Sequence, residues 1–165
     1  MEVQGIEVGI INESGYPLPE YQTLGSSGLD VRANIERPVL LKPLGRIIIP
    51  TGLYLEIPEG YEIQVRSRSG LTIKRGLVVA NGIGTIDSDY RDELGIILLN
   101  ISDEDQVIEP GDRIAQIVLA KYEKLEWRIK EKLSETDRNL GGFGHTGTKW
   151  EVVSVVCLEC MVKKD

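Results

Sequence analysis

The stretch "GTIDSDYRDELG" concentrates four acids, Asp87, Asp89, Asp92 and Glu93, around Tyr90 and Arg91. Carboxylates this dense suggest a metal cage, a general base, or a charged surface turn. The cage fails on pattern. An EF-hand loop needs oxygen ligands at positions 1, 3 and 5, glycine at 6 and glutamate at 12. Counting from Asp87, position 5 is Arg91 and position 6 is Asp92. Upstream, "VVANGIGTIDSDY" reads as a hairpin, because Asn-Gly between apolar residues favours a tight turn. An aspartate held beside it could take a proton from water. Residue types alone leave open which aspartate that is.

Four other stretches carry groups fit for a ligand. "VRSRSGL" (65–71) sets two arginines, two serines and a glycine at an expected strand end. Guanidinium groups, hydroxyls and accessible backbone N–H groups receive phosphate or carboxylate. "RNLGGFGHTG" (138–147) joins Arg138 and Phe143 through glycines that let backbone lie close to a ligand. It lacks the GxxxxGK[ST] pattern of a Walker A loop. "SSGLDVRA" (26–33) isolates Asp30 among small residues, as a capped turn would. In "PGDRIAQIVL" (110–119), Arg113 and Gln116 break an apolar strand, as satisfied core residues or as ligand contacts.

The elements that must position these groups read as short strands. Leu53, Leu55 and Ile57 alternate with polar or small residues, "PEG" turns the chain at 58–60, and Tyr61, Ile63 and Val65 alternate again. "ELGIILLNI" (93–101) is a continuous apolar run suited to burial on both faces. "EPGD" (109–112) is a turn with proline at its second position. Residues 124–133, "KLEWRIKEKL", fit a helix or a strand, and the context favours strand. Beyond residue 134 the chain turns polar and glycine-rich, as a mobile arm would, and "WEVVSVVCLECMVKKD" suggests a further edge strand. With 165 residues, 18 glycines, 7 prolines and 5% aromatics, the chain predicts one all-β domain with an aliphatic core.

Charge and composition exclude several classes. A net charge of −7 argues against a general nucleic-acid binder, though clustered arginines can still hold an anionic small ligand. One histidine, His145, rules out a multi-histidine metal site within one chain. Cys157 and Cys160 supply at most half of a zinc site. The acidic start and the lack of a ~20-residue apolar run lead us to expect an intracellular protein without a membrane span.

Taken in order, "SSGLDVRA", "RSRSGL", "NGIGTIDSDYRDELG", "PGDRIAQIVL" and "RNLGGFGHTGTK" resemble the five motifs of the trimeric dUTPase family. The resemblance implies a jelly-roll-like β-barrel or sandwich, assembled as a homotrimer with active sites shared among subunits. It implies a core over 1–133, a glycine-rich arm over 134–149 that closes the site, and an added apolar tail over 150–165. The implied reaction is hydrolysis of dUTP to dUMP and pyrophosphate in the cytoplasm. It would keep dUTP low and supply dUMP for thymidylate synthesis. Mg²⁺ is implied as the cofactor, held mainly by the triphosphate, with Asp30 near it through water.

Asp87 aligns with the catalytic aspartate and Tyr90 with the residue beneath the deoxyribose. Asn81, with Gly84, Thr85 and Ile86 of the following strand, aligns with the uracil reader. Arg68, Ser69, Gly70 and Gln116 align with phosphate contacts. Arg138, Gly144, His145 and Thr146 match arm contacts to the phosphates, and Phe143 matches the aromatic over the uracil. Asp89, Asp92 and Glu93 are left as turn and interface residues. The chain departs from the family at Ser67, where proline is common, and at Asn139 and Leu140, where the arm often has glycine and a polar residue. A dCTP deaminase, which shares the fold, would need glutamate where this chain has Ile97, and an aliphatic side chain cannot move protons. A regulatory protein on the same fold remains the other reading.

Overall fold

A computed structural model describes residues 5–141. The contacts divide the chain into two units, Met1–Leu125 and Glu126–Asp165. The described residues of the first hold eleven strands and one short helix: β1 (Gly9–Asn12), β2 (Leu29–Arg32), β3 (Val39–Leu41), β4 (Arg46–Pro50), β5 (Leu53–Glu56), β6 (Tyr61–Arg66), α1 (Ser69–Arg75), β7 (Leu77–Val79), β8 (Ile83–Ile86), β9 (Gly95–Asn100), β10 (Gln106–Ile108) and β11 (Arg113–Lys121). They form four antiparallel sheets in the orders β1-β5, β10-β3, β2-β11-β6-β8 and β4-β9-β7. These sheets are not closed into a barrel.

One core joins all four sheets. Period-2 alternation sends Leu53, Leu55, Ile63 and Val65 inward, where they meet Ile96 and Leu98 of β9 and Ile114 and Ile117 of β11. Every buried hydrophobic residue is aliphatic, as the low aromatic content leads one to expect. Among the described residues three polar side chains are buried, Ser14, Thr51 and Asn100, and Asn100 is the most deeply so. Its amide donates to the carbonyls of Leu41 and Glu104, and its Oδ1 accepts from Ser102, so its burial leaves no group unpaired.

Several local expectations change. The run 93–101 alternates rather than being wholly buried: Ile96, Leu98 and Asn100 face the core, while Ile97 and Leu99 are half-buried on the other face. Residues 69–75, expected at a strand end, form α1. Its basic last turn, Lys74 and Arg75, and Gly76 in the left-handed conformation at its end (φ 62°) are ordinary stop signals. Three bonds fix that end: Arg75 donates to Gln106 Oε1, to Asp112 Oδ2 and to the carbonyl of Val107. The stretch 124–133 contains neither strand nor helix, and Leu125, Trp127, Ile129 and Leu133 are all exposed. Alternating apolar residues specify a strand only where another face covers them, and this segment has none within the described chain.

The Asn81-Gly82 turn is present, but the expected hairpin is not. Gly82 N–H donates to the carbonyl of Val79, with Gly82 at φ 74°. The flanking strands then part company: β7 pairs with β9, while β8 pairs with β6. The turn is therefore a crossing from one sheet to another. "EPGD" behaves as expected. Asp112 N–H reaches the carbonyl of Glu109, with Pro110 second and Gly111 third at φ 81°, a type II turn.

In the second unit the described residues 126–141 carry a local loop. Thr136 and Asn139 bond reciprocally, each side chain accepting from the other's backbone N–H. Asn139 sits at φ 37°, which asparagine tolerates better than other non-glycine residues. This gives a physical account of asparagine where the arm commonly has glycine.

Candidate active site

The sheet β2-β11-β6-β8 sets Asp30, Gln116 and Arg66 in one cross-strand row, because Gln116 pairs with Asp30 on one side and with Arg66 on the other. All three are half-buried, while their neighbours Val31, Ala115, Ile117 and Val65 point into the core. The row therefore lies on the outer face. Gly28 leaves room for it: a Cβ there would stand 2.4 Å from Gln116 Oε1.

Arg68 follows β6 and folds back over this row. Its Nε and Nη2 donate to Asp30 Oδ1 and Oδ2 at 2.7 and 3.0 Å, and its Nη1 donates to the carbonyl of Arg113 at 2.9 Å. Arg113 Nη1 approaches Asp30 Oδ2 at 3.4 Å. A guanidinium has five N–H groups. Three are engaged here, so two remain for a ligand. With two arginines on one carboxylate, the cluster holds an excess positive charge despite the acidic chain. Arg68 is also the residue before α1, and the N–H groups of Leu71 and Thr72 return to its carbonyl. Ser69 and Gly70 thus stand exposed in the first turn beside the arginine.

Ser67 links this cluster to its neighbours. Gln116 Nε2 donates to the Ser67 carbonyl at 2.9 Å, and Val79 N–H donates to Ser67 Oγ at 2.8 Å. Past the turn, Asn81 lies over Gly84, whose Cβ would come within 3.2 Å of Asn81 Nδ2. Strand β8, with Gly84, Thr85 and Ile86, is the edge of its sheet. Its outward N–H and C=O groups are therefore free to meet the hydrogen-bonding edge of a planar ligand.

Asp87 stands elsewhere. Arg66 pairs with Ile83 and Ile63 with Ile86, so Asp87 follows the opposite end of the β6-β8 ladder from Arg68. Four residues of strand separate Arg66 from Glu62, roughly 13 Å at about 3.3 Å per residue. A turn closed by Tyr90 N–H on the carbonyl of Asp87 (3.2 Å) presents Asp87, Ser88, Asp89 and Arg91 to an open cleft of about 580 Å³. Across it lie Ile57, Glu59, Tyr122 and Lys124. Among the described residues the Asp87 side chain has no ion-pair or hydrogen-bond partner. Tyr90 is exposed on the same turn, its hydroxyl donating to the carbonyl of Glu93 at 3.1 Å.

Asp92 and Glu93 are employed in the fold, whereas Asp89, on the same cleft as Asp87, also has no side-chain partner among the described residues. Asp92 Oδ1 accepts from Glu93 N–H at 2.8 Å, and Glu93 Oε1 accepts from Gly52 N–H at 2.6 Å. Nearby, the Tyr54 phenol is pushed above its ordinary value of 10.0 by desolvation and by the charges of Glu13, Glu93 and Asp92.

No group of three metal-ligating side chains occurs among the described residues. Asp30, the acid nearest the anion cradle, has both oxygens engaged by arginines. The donor set thus suits a magnesium ion carried by ligand phosphates and water, not a protein cage. Arg138 lies in the second unit, its Nε donating to the carbonyl of Gly141 at 2.8 Å. Phe143, Gly144, His145 and Thr146 fall outside the described residues, as do Cys157 and Cys160.

Two features escape a reading of motifs alone. Arg113 brings a second guanidinium to Asp30, and only the β2-β11 register brings it there. The hydroxyl of Ser67 looks idle until the sheets are assembled.

Fold and cradle together define an all-β protein that offers an anion site and a planar-ligand edge on one sheet. The dUTPase family profile matches residues 15–147. A deoxyuridine 5'-triphosphate nucleotidohydrolase of Finegoldia magna is 58% identical over 142 residues, covering 86% of this chain and 99% of the relative. One from Fusobacterium nucleatum is 55% identical, covering 86% and 97%. Among solved structures, a Staphylococcus bacteriophage 80alpha dUTPase mutant with dUpNHpp superposes at TM-score 0.73 with 26% identity, over 86% of this chain and 98% of that one. A mutant dUTPase from phage phi11 of S. aureus, described with a structural Mg(II) ion, superposes at 0.68 with 25% identity, over 79% and 100%. The chain belongs to the dUTPase family.

Proposed function

We propose that this protein hydrolyses dUTP to dUMP and pyrophosphate, with Mg²⁺ as its cofactor. The observation that carries this reading is the division of the site into an arginine cradle and a free carboxylate. Arg68, Ser69, Gly70 and Gln116 hold phosphate oxygens, with Arg68 pre-set by its fork on Asp30. Asn81 and the outer edge of β8 (Gly84, Thr85, Ile86) read the uracil. Tyr90 packs beneath the sugar. Asp87 takes a proton from the water that attacks the α-phosphorus. The bond from that phosphorus to the bridging oxygen breaks, and pyrophosphate leaves. Mg²⁺ bound together with the substrate would supply neutralisation of charge on the leaving group, and Asp30 would help hold it through water. Fixed donors aimed at phosphate oxygens lower the barrier with little reorganisation.

A homotrimer with shared sites is part of this proposal. Two observations support it. Asp87 and Arg68 of one chain lie at opposite ends of a ladder, a separation that a second copy would bridge by completing each site. The outer face of β4-β9-β7 also presents Ile48, Val78, Ile97 and Leu99, with Ile48 64% exposed, an apolar surface suited to a copy of itself. The core runs over 1–133, and the arm (134–149) closes over the nucleotide, bringing Arg138, Gly144, His145 and Thr146 to the phosphates and Phe143 to the base. The added apolar tail over 150–165 is given no role in this proposal. The reaction belongs in the cytoplasm, and the net charge of −7 disfavours nucleic acid as a partner.

The test is pyrophosphate release from dUTP, dCTP, dTTP and UTP with Mg²⁺. Turnover of dUTP far above the other three is expected. Equal turnover of dTTP or UTP rejects the reading.

A further inference from the structure

We infer that Ser67 is a positioning residue for base selection, acting through the Val79 N–H. The inference rests on the dUTPase reading above and concerns a residue at which this chain departs from that family's usual proline.

Three observations carry it. Strand β7 is the edge of its sheet, paired only with β9. The next residue, Ala80, turns its N–H toward β9, donating to the carbonyl of Ile97, so the N–H of Val79 points away from that strand. It would be an orphan donor on a residue only 3% exposed, and Ser67 Oγ accepts it at 2.8 Å. Second, the turn that follows crosses between sheets, with no hairpin ladder joining β7 to β8. The two sides of the turn are held by different sheets, β7 by β9 and β8 by β6, and the Ser67 bond ties those two sheets to each other beside Asn81. Third, the Ser67 carbonyl accepts from Gln116, so the same residue is anchored to the phosphate cradle.

A proline at 67 has no hydroxyl to offer Val79. The serine thus fixes the strand that leads into the base-reading turn. Loss of the hydroxyl lets that turn drift, and a drifting turn admits a 5-methyl group more readily.

The experiment compares the parent with Ser67→Ala and Ser67→Thr in the full-length chain. It reads kcat/KM for dUTP and dTTP, together with amide exchange at Val79. For Ser67→Ala we expect the preference for dUTP over dTTP to fall about tenfold, the scale of one lost hydrogen bond, with faster exchange at Val79. Ser67→Thr keeps the hydroxyl and restores both. Should Ser67→Ala fail to fold, Ser67→Cys, a weak acceptor of similar size, carries the same comparison. Faster exchange with unchanged preference overturns the inference, because the bond is then only structural. An unchanged preference in an active parent leaves the dUTPase reading standing, whereas a parent inactive on dUTP removes both.

Discussion

The two ends of the β6-β8 ladder are built on opposite principles. At one end Asp30, Arg68, Arg113, Gln116 and Ser67 bond to one another before any ligand arrives. At the other, Asp87 stands on an exposed turn without a side-chain partner among the described residues, while its neighbours Asp92 and Glu93 hold the backbone. Donors that must meet a fixed anion gain from being set in advance. A base must change its protonation state, and a permanent partner would oppose that. On the proposed function, the first end ties binding to folding, and the second separates chemistry from both.

Substitutions can break this contrast. The largest effect belongs to Asp87→Asn, expected to lower kcat by about 10²–10⁴-fold, the range of a general base. Nucleotide binding and the unfolding midpoint should stay near the parent's. If Asp89→Asn is the inactive variant instead, the base has been misassigned. Next comes Arg68→Ala, which leaves Asp30 with only the longer Arg113 contact. We expect a higher KM for dUTP together with a stability loss of about 1–3 kcal/mol, read by urea titration. A raised KM at unchanged stability would contradict the pre-assembled cradle.

Glu93→Gln sharpens the other side. It replaces a charged acceptor on Gly52 by a neutral one and should cost about 1 kcal/mol with kcat unaltered. The smallest effect is alkaline. Because the Tyr54 phenol is raised in the folded state, its contribution to stability is whole below the ordinary value of 10.0 and is lost as pH climbs through the folded value. Tyr54→Phe should flatten the fall in melting temperature above that pH and change nothing near neutrality.

Much of the fold was legible in period and punctuation. Leu53, Leu55, Ile63 and Val65 alternate, and they are buried. Pro110 and Gly111 announce a type II turn, and one forms. Helix α1 is not anticipated: "VRSRSGL" reads as a strand end, although Lys74, Arg75 and Gly76 carry the helix-stop pattern that the structure uses. The hairpin at Asn81-Gly82 misled because a tight-turn dipeptide specifies a bend and says nothing of which strands its arms will join. For residues 124–133 the pattern was real and the partner was missing, so no strand formed.

For the site, the order and types of five motifs were enough to indicate a nucleotide, its phosphates and an acid. Spacing could not rank Asp87 above Asp89, nor separate either from Asp92 and Glu93. Asp92 bonds only its neighbour, Glu93 N–H, and Glu93 bonds Gly52, 41 residues away, a contact that exists only in the folded chain.

By itself the sequence determined an aliphatic all-β protein with a local excess of guanidinium groups, and the chemistry such groups permit, since composition and alternation act over a few residues. Tertiary structure alone decided that Asp30 serves Arg68 and Arg113 from across the sheet, that Ser67 joins two sheets, and that Asp87 stands apart. Those relations depend on strand register between residues 12 to 83 positions apart, and register is set by the packing of the whole core.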